Sequence, residues 1–156
     1  MSKAVLLMIA AGVGIGFLLP AGQPAGPVTV AEARNNELRE TLLERSELGH
    51  FYANAEVGGQ LVRFLVDTGA TSVALTVEDA RRLNIPFSEA EFEVIGEGAG
   101  GPVRGKAITL DSVTLDGKQA RSVDAVIIEG SKMSLLGQAY LGRFTVEMRG
   151  STMRIS

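Results

Sequence analysis

Phe64-Leu65-Val66-Asp67-Thr68-Gly69-Ala70-Thr71 joins three apolar residues of strand character directly to a carboxylate, a small hydroxyl and a glycine. A carboxylate at the end of an apolar strand is costly unless its charge is hydrogen-bonded or shared. Asp67 therefore stands where its surroundings set its protonation, as reactive carboxylates require. Gly69 has no Cβ, so the backbone N–H of a sharp turn can approach that carboxylate closely. Thr68 adds a short hydroxyl able to bond backbone. Taken alone, Asp-Thr-Gly is equally a plain turn after a strand, and the flanking pattern has to decide.

Upstream, Phe51, Ala53, Ala55 and Val57 alternate with His50, Tyr52, Asn54 and Glu56. Gly58-Gly59 then turns the chain and Gln60 to Val66 returns, a β-hairpin that delivers Asp67. Downstream, Thr76-x-x-Asp79 resembles a capping box and predicts a short helix from Val77 to Leu83, stopped by Asn84 and Pro86. Phe92 to Ile95, Val103 to Leu110, Val113 to Leu115, Arg121 to Ile128, Phe144 to Met148 and Met153 to Ile155 read as short strands. Asp116-Gly117 and Gly150-Ser151 are the turns among them. Many short strands parted by turn residues imply a mainly β domain, a small barrel or sandwich.

The N-terminal part has a different character. Residues 4–19 are uncharged and apolar behind a single Lys3, which marks a membrane-targeting segment. Sixteen helical residues reach roughly 24 Å against about 30 Å of hydrocarbon, so a spanning helix draws on Pro20 to Gly22. An uncleaved anchor over residues 4–21 is the favoured expectation and a cleaved signal peptide the rival. Positive charge lies on the N-terminal flank alone, so the N-terminus is expected in the cytoplasm and the rest outside it. Pro20 to Pro27 is a Pro/Gly linker, and residues 31–45 are expected to form a short helix through Leu38 and Leu42. The expected organisation is an anchor over 1–22, linker and helix over 23–48, and a folded domain over 49–156.

Composition narrows the chemistry. With 15 Lys and Arg against 18 Asp and Glu and a net charge of −3, no basic stripe is available to neutralise phosphates. Nucleic acid is not an expected partner. The absence of cysteine removes thiol nucleophiles, disulfides and thiolate metal sites. His50 is the single histidine, which excludes a histidine-rich metal site within one chain and leaves a Ser-His-Asp triad unsupported by any G-x-S-x-G segment. Neither metal nor cofactor is expected. Gly96, Gly98 and Gly101 spell G-x-G-x-x-G, but a strand pattern follows where a dinucleotide site needs a helix.

Phe64 to Ala70, taken with Ser134-Leu135-Leu136-Gly137-Gln138 and Tyr140-Leu141, resembles the retropepsin-like aspartic proteases, specifically their membrane-anchored bacterial branch. The resemblance covers roughly residues 49 to 156. It implies a closed barrel with a flap hairpin and one or two short helices, one of them beginning near Gln138. It also implies that Asp67 is the catalytic carboxylate in a loop with Thr68, Gly69 and Ala70, and that Leu135, Leu136 and Gly137 brace that loop. The flap falls on Gly98, Ala99, Gly100 and Gly101, where many relatives carry an Ala-Asn-Gly-like tip instead.

Carboxylate-driven amide hydrolysis needs two acids sharing one proton. This chain has one Asp-Thr-Gly, and Asp111-Ser112-Val113 lacks the glycine of a second. The expectation is a homodimer with one Asp67 from each copy on a two-fold axis, acting on peptide or protein substrates outside the cytoplasm. Two other readings stand beside it. One is a dimeric peptide-binding module of the same fold without hydrolysis; the other is an envelope protein in which Asp-Thr-Gly is only a turn.

Overall fold

The structure, a computed structural model, describes residues 8–9, 39–98 and 101–156. Strand β1 (Met8–Ile9) pairs in parallel with Glu97 and Gly98. The remainder of the expected membrane anchor and the Pro/Gly linker lie outside the described residues. Among the described residues, no helix is long and apolar enough to cross a membrane.

β2 (Thr41–Glu44) corrects the expected helix over 31–45 in its described part. Thr41 is buried and its hydroxyl donates to the Asp116 carboxylate at 2.6 Å, while the β2 backbone pairs with the C-terminal strand. A one-turn spacing of two leucines cannot outweigh a sheet edge that satisfies every other backbone group of the segment.

β3 (Tyr52–Val57) and β4 (Gln60–Val66) form the expected hairpin, with Val57 opposite Gln60 and both Gly58 and Gly59 at positive φ. That turn matches the right-handed twist of the two strands. β5 (Val73–Thr76) follows the Asp67 loop. Sequence patterning gave no sign of it, because all four of its residues are buried and none alternates with a polar one. α1 (Val77–Arg82) begins where expected, with the Thr76 hydroxyl accepting the Asp79 N–H at 3.0 Å.

β6 (Glu93–Gly98) and β7 (Gly101–Leu115) make the flap hairpin, closed by Gly98 opposite Gly101. The two strands expected over 103–115 are one, and Asp116 and Gly117, both at positive φ, turn β7 into β8 (Lys118–Ile128). β9 (Ser134–Leu136), α2 (Gln138–Leu141), β10 (Val146–Arg149) and β11 (Thr152–Ile155) complete the chain.

Six strands close into a barrel in the order β7-β3-β4-β9-β5-β8, with β7 and β8 sealing the ring. Phe64, Leu75, Ile127, Leu136, Tyr140 and Leu141 fill it together with smaller residues. The Tyr140 hydroxyl donates to the Lys118 carbonyl at 2.7 Å, and burial pushes its phenol well above the usual range. β10, β11 and β2 form a separate three-stranded sheet, whose Met153 and Ile155 close one end of this core.

Candidate active site

Asp67 follows β4 directly, half-buried between buried Val66 and exposed Thr68. Its backbone N–H donates to the Leu136 carbonyl at 3.0 Å, which locks the loop onto β9. One carboxylate oxygen, Oδ1, accepts the Gly69 N–H at 2.9 Å. A Cβ on Gly69 would sit 3.3 Å from that same oxygen, so the glycine keeps the approach open. The loop closes through the Ala70 N–H and the Asp67 carbonyl at 3.3 Å, and Ala70 is buried beneath it.

β9 is the platform. Its three residues insert between β4, in parallel (Phe64 with Ser134, Leu65 with Leu135, Val66 with Leu136), and β5, in antiparallel through Ala74. The next residue, Gly137, lies against the loop so closely that a Cβ would fall 2.7 Å from the Ala70 carbonyl oxygen and nearer still to that of Ser72. α2 then returns to the loop. The Gln138 N–H donates to the Ala70 carbonyl at 2.8 Å, the Ala139 N–H to Thr71 at 2.8 Å, and the Gln138 amide Nε2 to the Thr68 carbonyl at 2.8 Å. Leu136 and Gly137 thus touch the Asp67 loop directly, Leu135 sits between β4 and β5 beside it, and Gln138 adds a side-chain clamp that the sequence reading left without a role.

The β6–β7 hairpin packs against the strands that flank the loop. Ala74, Val126, Ile128 and Leu135 form a second apolar cluster outside the barrel, and Leu65, Ile95 and Val103 pack against it. Ile95 and Val103 belong to β6 and β7, so the flap root rests on the outward faces of the strands whose inward faces fill the core. Gly98 and Gly101 are the last paired residues of the hairpin, and the Ala99 and Gly100 of the expected tip lie outside the described residues. Among the described residues no cluster of His, Asp or Glu is arranged to hold a metal ion.

A family profile described as aspartyl protease matches residues 53–142, a span that takes in Asp67, the flap and Gly137. The chain belongs to the aspartyl protease family. The chain superposes with a TM-score of 0.64 and 32% identity on a retropepsin-like aspartic protease from Rickettsia conorii, over 76% of this chain and 90% of that one. The fold is therefore retropepsin-like. An uncharacterized protein of Rickettsia prowazekii is 35% identical over 111 residues, 70% of this chain and 48% of its own length. An uncharacterized Sinorhizobium protein is 30% identical over 145 residues, 91% of this chain and 62% of its own length. The chain thus spans about half to three-fifths of the length of these two relatives.

Proposed function

We propose that this chain is a homodimeric aspartic endopeptidase, anchored in the inner membrane by residues 4–21 with its N-terminus in the cytoplasm, an arrangement in which Met8 and Ile9 leave their strand pairing with Glu97 and Gly98. Its protease domain then acts on proteins in the periplasm. The observation that carries the reading is the Asp67 loop: a half-buried carboxylate at a strand end, pinned through Leu136 and opened to solvent on the side where Thr68 and Gly69 are exposed. One copy supplies one such acid. Two copies on a two-fold axis bring two carboxyl groups together, and near neighbours of like charge share one proton.

In that pair one Asp67 carboxylate takes a proton from water while the other, protonated, hydrogen-bonds the substrate carbonyl. Water oxygen bonds to the carbonyl carbon as the protonated acid passes its proton to the carbonyl oxygen, giving a neutral tetrahedral diol. The proton taken up by the base passes to the amide nitrogen, the C–N bond breaks, and the adduct's hydroxyl returns a proton to the pair. The flap, resting on Leu65 and Leu135 at its root, closes over an extended peptide and excludes bulk water. A shared membrane raises the local concentration of the two copies and favours their pairing.

Incubation of the purified full chain with a mixed peptide pool tests the assignment, alongside Asp67→Asn. Cleavage that vanishes in the variant while the dimer mass persists supports the peptidase. Peptide binding without turnover in either protein points to a binding module instead, and a monomer that neither binds nor cleaves removes both readings.

A further inference from the structure

The sequence singled out Thr76-x-x-Asp79 as a helix cap, but the structure uses these residues for more than capping. In a full capping box the N3 carboxylate reaches back to the N-cap N–H. Here the Thr76 N–H donates instead to the Ser134 hydroxyl at 3.1 Å, and that hydroxyl donates onward to Asp79 Oδ2 at 2.5 Å. The other oxygen, Asp79 Oδ1, accepts from the Arg82 guanidinium at 2.8 Å, whose second arm donates to the Leu61 carbonyl of β4 at 3.0 Å. A continuous chain of bonds therefore joins β4, α1, β5 and β9.

Ser134 is 1% exposed and is the first residue of β9. The last residue of that strand, Leu136, holds the Asp67 N–H. With only three residues, β9 has no length over which to absorb a shift: displacement at Ser134 arrives at Leu136 about 7 Å away. We infer that Ser134 and Asp79 are positioning residues for the active-site loop, fixing β9 along its axis so that Leu136 presents its carbonyl to Asp67 and Gly137 stays seated on Ser72. Ser134 and Thr76 are buried and Asp79 is half-buried, so losing the Ser134 hydroxyl leaves both the Thr76 N–H and an Asp79 oxygen without their partner. Burial works to raise the Asp79 pKa, yet the bonds from Ser134 and Arg82 outweigh it and hold the carboxyl below its ordinary value. The network thus stays charged at the mildly acid pH at which a proton-sharing carboxyl pair works.

The kinetic part of this inference rests on the peptidase reading; the structural part does not. The test compares the full chain with Ser134→Ala, with the near-isosteric Asp79→Asn in case the first is too damaged to fold, and with Arg81→Gln as a control on the same helix. Arg81 pairs with exposed Glu89 and lies over the Phe87 ring, off the network. Two readouts apply: kcat and KM well below the melting temperature, and hydrogen exchange at the Asp67 amide. The expected result is a kcat lowered by about tenfold or more with KM nearly unchanged, as a displaced reacting group gives, together with faster Asp67 exchange in Ser134→Ala and Asp79→Asn but not in Arg81→Gln. A lower melting temperature with kcat and Asp67 exchange both unchanged overturns the inference and leaves the network purely structural. Should the unmodified chain cleave nothing, the peptidase reading fails, and the exchange readout alone upholds or overturns the positioning role.

Discussion

Gly137 lies against the Ser72 carbonyl with no room for a side chain between them. Its backbone, at φ −102° and ψ −169°, is extended and open to any residue, so space and not conformation demands the glycine. Gly137→Ala forces α2 and the Asp67 loop apart, against backbone atoms that cannot rotate away. The expected cost is more than about 2 kcal/mol, read as a lowered urea midpoint, with loss of peptide cleavage under conditions where the variant is still folded.

Gly105 marks the root of the flap, where β7 is paired with Glu93 on one edge and Ile128 on the other. A Cβ there would lie 2.9 Å from Ile95 Cδ1 and nearer still to the Ile127 carbonyl oxygen. Gly105→Ala pushes β7 off β8 at this point, and the flap root loses its seat on the outer apolar cluster. Destabilisation of about 1–3 kcal/mol is expected. Limited proteolysis should then cut near residues 98–101 sooner than in the unmodified chain.

Asp79 gives the stability a definite acid dependence. Its folded pKa lies below the ordinary value of 3.8, despite burial that works to raise it, because of Ser134 and Arg82. A carboxyl whose folded pKa is depressed stabilises fully above the unfolded value, and that contribution is lost as the pH falls through the folded one. The urea midpoint of the unmodified chain should therefore drop from about pH 5 downward. Asp79→Asn should start lower at neutral pH and show a shallower fall, and an acid limb of unchanged steepness in the variant would refute the assignment.

A site assembled from two copies makes activity depend on association. Specific activity of the detergent-solubilised chain should fall on dilution and approach proportionality to total concentration once monomer dominates. Reconstitution in vesicles at the same bulk concentration should restore it, because confinement to one membrane raises the effective concentration of the partner. Dilution-independent specific activity, with monomer verified by sedimentation, would contradict a shared site.

Short-range features were legible in the residue pattern. Gly58-Gly59 and Asp116-Gly117 announced their hairpins because both residues of each turn take positive φ. The α1 start was legible from Thr76 because an N-cap is a contact across three residues. The helix expected around Leu42 failed because its described residues pair with β11 at the far end of the chain. β5 stayed hidden for the same kind of reason: its four buried residues acquire meaning only from β8, paired through Val73 with Ala125, and from β9.

The candidate site divides along the same line. Asp67 with its Thr-Gly turn, the Leu135-Leu136-Gly137 brace and the glycine-rich flap were marked through the resemblance to the retropepsin-like proteases, which short contiguous motifs are enough to carry. Tertiary structure alone decided that Gln138 clamps the Thr68 carbonyl across 70 residues and that Ser134 meets Asp79 across 55. It also decided that β7 and β8 seal the barrel. Those contacts depend on register between distant strands, and register is set by how the whole core packs, which no local spacing encodes.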